Sequence, residues 1–362
     1  MELYSIGVDL GGTNLRVASF DHNRGLRDSV ELLTRRHAGR DAVIADLCDA
    51  VESLIRKFAG RQQCAGVGVA TPGPMELPEG RLLDPPNLPG WENFELRGEL
   101  EKRLNERVVV ENDANVAALA ECLLGQGKEL RLNSLCMLTL GTGVGNGIIL
   151  NGRIWHGMNG MAGESGHISI DPQGPFCACG TRGCLELSAS ATGLVRQARE
   201  LIALDPGGAL ATNLCQKPNF TAKDLSTLAN EGDRSAIQIF ETQGRALGRA
   251  LAVLVNSLNL PLYVLGGGVT AAWELFAPKM FAELSQGSYI YRLTDPQRTA
   301  SKYMAKATTW VMPARLGSNS GILGACMVPF GADPASSDAQ MSTSDQSRFV
   351  GCSRNLADEF PS

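Results

Sequence analysis

Asp9-Leu10-Gly11-Gly12-Thr13-Asn14-Leu15-Arg16 joins two short apolar runs, Leu3 to Val8 and Leu15 to Phe20, so a strand, a glycine turn and a second strand are expected at the start of the chain. Glycine lets backbone N–H groups approach an anion with no Cβ in the way. A carboxylate such as Asp9 in that turn suits a hydrated Mg²⁺, and the Thr13 hydroxyl with the backbone donors of Gly11 and Gly12 suits phosphate oxygens. Further along, Leu135 to Leu140 and Gly147 to Leu150 flank Gly141-Thr142-Gly143-Val144-Gly145-Asn146, and the strand Leu262 to Leu265 runs into Gly266-Gly267-Gly268. The dinucleotide fingerprint is excluded, because Gly141, Gly143 and Gly145 lead into another strand where that motif must open a helix. A Walker A loop is excluded as well, since no Gly-Lys is followed by Ser or Thr. Taken singly, each loop also reads as a tight turn. Together they suggest a nucleotide held between two strand hairpins, and two related halves.

The rest of the chain alternates in the same way. A helix is expected from about Asp41 to Phe58, a strand from Ala65 to Ala70, a helix from about Phe94 to Asn105, a strand at Val108 to Val110 and an alanine-rich helix from Ala114 to Leu124. Between them, residues 72–91 form a proline-rich loop ending Asn87-Leu88-Pro89-Gly90-Trp91, too long for a plain connection and therefore a candidate binding loop. Up to about residue 330 the remainder reads as mostly helical; from 331 to 362 Ser, Asp, Ala and Gln predict a flexible tail.

With 362 residues, 44% hydrophobic and 20% charged, the composition is that of a mixed α/β globular protein large enough for two lobes. Lys and Arg number 33 against 38 Asp and Glu, with no long basic run, so neither nucleic acid nor an anionic membrane is an expected partner. The start Met1-Glu2-Leu3 lacks a basic leader and no apolar stretch is long enough to span a bilayer, which points to the cytoplasm. Of ten cysteines, Cys48, Cys64, Cys122, Cys136 and Cys326 stand singly in apolar runs and read as reduced core thiols. Cys177, Cys179 and Cys184 cluster instead. With His167 they form H-x9-C-x-C-x4-C, and Gly180 and Gly183 allow a tight knuckle. Three thiolates and one imidazole make a closed tetrahedral shell, so a structural Zn²⁺ is expected.

Four motifs in this order and spacing resemble the ROK family (repressors, open reading frames and sugar kinases) of the actin-like ATPase superfamily, particularly its bacterial glucokinases. They are Asp9-Leu10-Gly11-Gly12-Thr13, Glu111-Asn112-Asp113-Ala114-Asn115, Leu140-Gly141-Thr142-Gly143-Val144-Gly145, and Gly163-Glu164-Ser165-Gly166-His167 with the cysteine cluster. The resemblance runs from about residue 3 to 328. It implies a two-lobed actin-like, ribonuclease H-like α/β fold with a zinc-binding loop. The small lobe would span 1–118, completed by a terminal helix at about 318–330, and the large lobe 119–317 would carry the zinc loop and helices of a homodimer interface.

The resemblance also implies phosphorylation of a hexose by Mg²⁺-ATP. Asp113 falls on the catalytic base, although local sequence alone favours reading it as a helix N-cap. Gly73, Asn87, Asn112, Glu164, His167 and Glu186 would join Asp113 in contacting the sugar. Asp9, Gly11, Gly12, Thr13, Gly141, Thr142 and Gly143 would meet phosphates and Mg²⁺, and Gly267 and Gly268 the adenosine end. Trp91 reads as packing, Glu111 as structural or solvated, and His156 as a histidine with no identifiable partner. D-glucose is the expected acceptor, with N-acetylmannosamine, mannose and fructose as rivals. A sugar-responsive regulator is the alternative class; a DNA-binding domain ahead of residue 9 is not expected.

Overall fold

In the computed structural model, β1 (Tyr4–Leu10) and β2 (Asn14–Asp21) pair antiparallel around the first glycine turn, from Tyr4 opposite Asp21 to Leu10 opposite Leu15. The structure describes residues 3–21, 24–57, 64–85, 87–297 and 307–331, so the tail read over 331–362 lies beyond Gly331 outside the described residues. β3 (Gly25–Leu33) adds to β2, α1 (Arg40–Lys57) crosses over, and β4 (Cys64–Thr71) returns parallel to β1. The proline-rich loop carries a small sheet of its own, β5 (Met75–Glu76), β6 (Arg81–Leu82) and β7 (Phe94–Glu95). α2 (Leu96–Leu104) and β8 (Val108–Asn112), parallel to β4, complete a sheet of order β3-β2-β1-β4-β8.

α3 (Asp113–Leu123) and α4 (Gln126–Leu130) lead to a second sheet that repeats this plan. β9 (Leu135–Leu140), β10 (Val144–Leu150) and β11 (Arg153–Ile154) form an antiparallel meander. β12 (Leu262–Gly266) and β13 (Trp310–Pro313) then add in parallel beside β9, giving the order β11-β10-β9-β12-β13. The two sheets thus share one topology, a meander followed by two parallel crossovers, and the two glycine hairpins occupy equivalent places. The second half inserts α5 (Leu185–Ala189), α6 (Ala191–Leu204), α7 (Ala209–Leu214), α8 (Ala222–Asn230) and the long α9 (Arg234–Leu258) before β12, with α10 (Trp273–Gly287) and α11 (Tyr289–Thr294) after it.

Alternation along β9 shows how the layers stack. Leu135 and Met137 face one core with α3 and α12 (Ser320–Gly331), whereas Cys136, Leu138 and Leu140 face another with α9 and α10. Both faces are buried, which is why the strand reads as an apolar run broken only at Thr139. α3 and α12 form the layer between the sheets, and their backbones nearly touch: a Cβ on Gly324 would stand 1.8 Å from the Val116 carbonyl oxygen.

The structure departs from the sequence reading in several places: the short strands β5, β6, β7 and β11 were not in it, and neither were three features of the main sheets. β3 went unread because it is an edge strand rich in charge and largely exposed, with no alternating apolar face to signal it. β13 is a four-residue strand that exists by pairing with β12. β10 begins at Val144 rather than Gly147, because Gly145 and Gly147 are strand residues on which α3 lies; a Cβ on Gly147 would meet the Ala114 carbonyl oxygen at 2.6 Å. Among the described residues no helix is long and apolar enough to cross a membrane. Cys48, Cys64, Cys122, Cys136 and Cys326 are free thiols, all but the half-buried Cys64 in the core.

Candidate active site

The carboxyl ends of β1, β4 and β8 lie together, since Asp9 is opposite Ala70, Ala70 opposite Glu111 and Thr71 opposite Asn112. That edge is where loops of an α/β sheet converge. Asp9 pairs with Arg16 across the hairpin, and Arg16 Nη1 also donates to the Ser318 carbonyl at 2.9 Å, just before α12. The Gly11–Thr13 turn is braced from behind, because Thr34 donates its hydroxyl to the Gly11 carbonyl and its N–H to the Thr13 carbonyl, each at 2.8 Å. Gly12 lies under the binding loop: a Cβ there would stand 2.9 Å from the Asn87 carbonyl oxygen. Asn87 is exposed, while Leu88 and Trp91 are buried and Trp91 meets Phe94 edge-on, so Trp91 packs as expected. Gly73 follows β4 with φ +102.

The N-cap of α3 is Asn112, whose Oδ1 accepts the Ala114 N–H at 2.9 Å and the Asn115 N–H at 3.4 Å. Asp113 is therefore the first helical residue and not the cap. Its Oδ1 accepts the Ala114 N–H at 2.8 Å, and the residue opens to solvent. Protein packed on its other sides raises its carboxyl to about 6, helped by the negative charges of Asp9 and, less, of Glu164; the Ala114 N–H opposes the shift. Asp113 and Asp9 from the first sheet and Glu164 from the second half thus share one electrostatic environment.

Glu164 stands on a loop fixed through the buried Asn146, whose Nδ2 donates to the Met137 carbonyl at 2.8 Å and whose Oδ1 accepts the Ser165 hydroxyl at 2.7 Å. Its carboxylate points outward, 4.0 Å from His167 Nε2. The other ring nitrogen of His167 turns to the cysteine loop: Nδ1 is 3.7 Å from Cys177 Sγ, Cys179 Sγ is 3.6 Å from Cys184 Sγ, and the four donor atoms lie within 4.8 Å of one another. A tetrahedron with metal–sulfur bonds of about 2.3 Å has edges of about 3.8 Å, so this donor set fits Zn²⁺. Thr181 hydrogen bonds hold the exposed Cys179 thiol down at about 6, while burial pushes Cys184 up to about 11.

The chain belongs to the ROK family. Its sequence matches that family over residues 5–329. It is 38% identical to a glucokinase of Halalkalibacterium halodurans over 271 residues, 74% of this chain and 81% of that one. It is 32% identical to an N-acetylmannosamine kinase of Escherichia coli over 269 residues, 74% and 84% of the two chains. The crystal structure of a ROK family glucokinase from Streptomyces griseus in complex with glucose and AMPPNP is similar at a TM-score of 0.71 and 29% identity, covering 90% of this chain and 98% of that one. A ROK family transcriptional regulator homologous to the Escherichia coli MLC protein is similar at 0.74 and 25%, covering 91% and 78%. The two-sheet mixed α/β fold described above is thus the ROK fold.

In this ROK chain Glu186 does not stand free beside the cysteine loop. α5 starts directly after Cys184, and Glu186 Oε2 accepts the Val144 N–H at 2.9 Å, against Gly143. The second glycine loop is sewn to α6 as well, through Ala191 N–H to the Gly141 carbonyl at 2.9 Å and Thr192 Oγ1 to the Thr142 carbonyl at 2.7 Å. Gly267, at φ +88, lies against the Leu140 carbonyl, and Gly268 opens a short 3-10 helix. A cleft of about 630 Å³ beside Thr142 is lined by Thr192, Arg196, Arg199 and Phe220. The predicted residues thus fall at the strand ends of both sheets, on the loop after β4, on the loop after β11 and on α5. The sequence reading missed the partner of His156: its Nε2 lies 2.7 Å from Oε2 of the buried Glu111, across 45 residues of chain with no local signal.

Proposed function

We propose that this protein is an ATP-dependent hexose kinase that phosphorylates the 6-hydroxyl of D-glucose. The observation that carries the reading is Asp113: a carboxyl at the carboxyl edge of the first sheet, open to solvent, raised to about 6, and flanked by the charges of Asp9 and Glu164. A base of that pKa is half ionised just below neutrality and can accept a hydroxyl proton as the phosphoryl group is transferred. Gly73, Asn87, Asn112, Glu164, His167 and Glu186 would surround the sugar. Asn112 spends its Oδ1 on the helix cap, which leaves its amide nitrogen to donate to a hydroxyl. Asp9 with Gly11, Gly12 and Thr13 would face the Mg²⁺-bound phosphates, Gly141 to Gly143 the same phosphates from the second sheet, and Gly267 with Gly268 the adenosine. The cleft beside Thr142 has room for a nucleoside.

A Zn²⁺ held by His167 Nδ1, Cys177, Cys179 and Cys184 would supply rigidity and no open coordination position. His167 Nε2, Glu164 and Glu186 would then be oriented by the same anchor. The lobes would divide at about residue 118, with α12 belonging to the first, and the assembly would be a homodimer through large-lobe helices. The resemblance to an N-acetylmannosamine kinase supports a second reading, in which the same constellation accepts that amino sugar. A coupled assay across glucose, mannose, fructose and N-acetylmannosamine decides: glucose should give the highest kcat/KM. A preference for N-acetylmannosamine of about tenfold, ~1.4 kcal/mol, overturns the glucose assignment. No turnover of any hexose overturns the kinase reading and favours the regulator class.

A further inference from the structure

Glu111 is 3% exposed and sits one residue before the Asn112-Asp113 turn. Its Oε1 accepts the Asn112 N–H and the Asn115 Nδ2, each at 2.9 Å, so one carboxylate oxygen braces the chain on both sides of Asp113. Its other oxygen is left for His156. Burying a carboxylate is costly unless its lone pairs are satisfied, and His156 supplies the remaining bond. Burial alone would lower the His156 pKa; the hydrogen bond and charge of Glu111 outweigh it and raise the value, which makes the contact charge-assisted.

His156 is also the base of a closed loop. Its carbonyl accepts the Ala162 N–H at 3.1 Å, and the chain leaves that ring directly into Gly163-Glu164. The loop itself has little core: Met158 is 98% exposed. Asn146 of the second sheet anchors Ser165 at the far end of this loop, Gly160 at its tip lies against Met75 and Leu77, and the histidine ties its entrance to the end of β8 in the first sheet.

We propose that His156 is a positioning residue of the hexose site, clasping the loop that bears Glu164 onto the strand end that presents Asn112 and Asp113 through its bond to Glu111. The clasp rests on the hexose-kinase reading for its consequence, though not for its existence. It joins the two carboxylates that would meet opposite parts of one sugar, so its loss acts on hexose binding more than on ATP or on the chemical step.

Two variants of the full-length, metal-loaded protein test this. His156→Ala removes the bond; His156→Gln keeps an N–H donor at nearly the same reach. His156→Ala should raise the glucose KM about tenfold with kcat and the ATP KM within about threefold of wild type, and amide exchange over 156–164 should quicken about tenfold. His156→Gln should bring both readouts back to within about threefold. Unchanged glucose KM and unchanged exchange in His156→Ala overturn the clasp. So does a variant in which glucose KM, ATP KM and Tm all worsen together and Gln fails to rescue, which is what general unfolding would do. Should the wild type turn over no hexose, the kinase reading falls while the exchange arm still decides for or against the clasp.

Discussion

Glu186 Oε2 and the backbone N–H of Val144 meet at 2.9 Å, and this bond ties the cysteine loop to the second glycine loop. Glu186 lies two residues after Cys184, and Val144 directly follows Gly143, so order imposed at the thiol cluster passes within a few bonds to a loop that would hold phosphate. A Cβ on Gly143 would sit 2.3 Å from the same carboxylate oxygen. Gly143→Ala should therefore push Glu186 off Val144 and raise the ATP KM by about tenfold or more, with the protein still folded. Unaltered ATP kinetics in that variant would show that the contact is incidental.

Asp113→Asn should lower kcat by roughly 10²–10⁴-fold, because it removes proton acceptance and nearly conserves shape. Stability should move the other way. The folded pKa, about 6, lies above the ordinary value of 3.8, so the native state binds this proton more tightly than the unfolded chain. That stabilisation is complete below the unfolded value and is lost as the pH rises through about 6; at neutral pH the ionised carboxylate is a cost. Asn removes the cost. Tm at pH 7.5 should be higher in the variant than in the wild type, with the difference vanishing toward pH 4, as thermal melts across pH would record.

The same group sets an acid limb. In the wild type kcat/KM for the hexose should rise with pH and level off with a midpoint near 6, as Asp113 becomes ionised. The residual activity of Asp113→Asn should lack that limb; a limb that persisted unchanged would belong to another group.

Purified protein should carry about one zinc per chain, since one four-ligand set is present among the described residues. Cys179→Ala should lower metal content, and glucose affinity with it, because Glu164, His167 and Glu186 lose a common anchor. Metal analysis beside glucose titration checks this, and full glucose affinity in a zinc-free variant would separate the cluster from the site.

Gly324→Ala tests the layer between the sheets. The new Cβ would stand 1.8 Å from the Val116 carbonyl oxygen, so α12 and α3 must part, costing about 1–3 kcal/mol or more. Denaturant unfolding should show it; an unshifted midpoint would mean the helices can slide apart freely.

Much of the site is local in origin, and those parts could be read directly. Asn112-Asp113 announces a strand-to-helix turn because Asn caps helices and the capping bonds span only three residues. The cysteine spacing announces a knuckle because its closing bonds, Gly180 N–H to the Cys177 carbonyl and Cys177 N–H to the Thr181 carbonyl, lie within five residues. The glycine hairpins are set by adjacent strands. Even so, local reading left Val144, Gly145 and Asn146 in a loop, since a glycine such as Gly145 that admits a helix backbone looks the same as one that makes a turn.

The amino-acid sequence by itself thus determined much of the strand and helix order, the glycine turns and the thiol cluster, written in periodicity and spacing that act within one turn or one pleat, while the candidate base rests on the family resemblance. Tertiary structure alone decided that Glu111 meets His156 across 45 residues and that Glu186 turns to Val144 across 42. It also decided that α12 lies between the sheets. Such contacts form only when distant loops have closed, and their energy comes from burial and complementary charge at the meeting point; neither partner carries a local mark of the other.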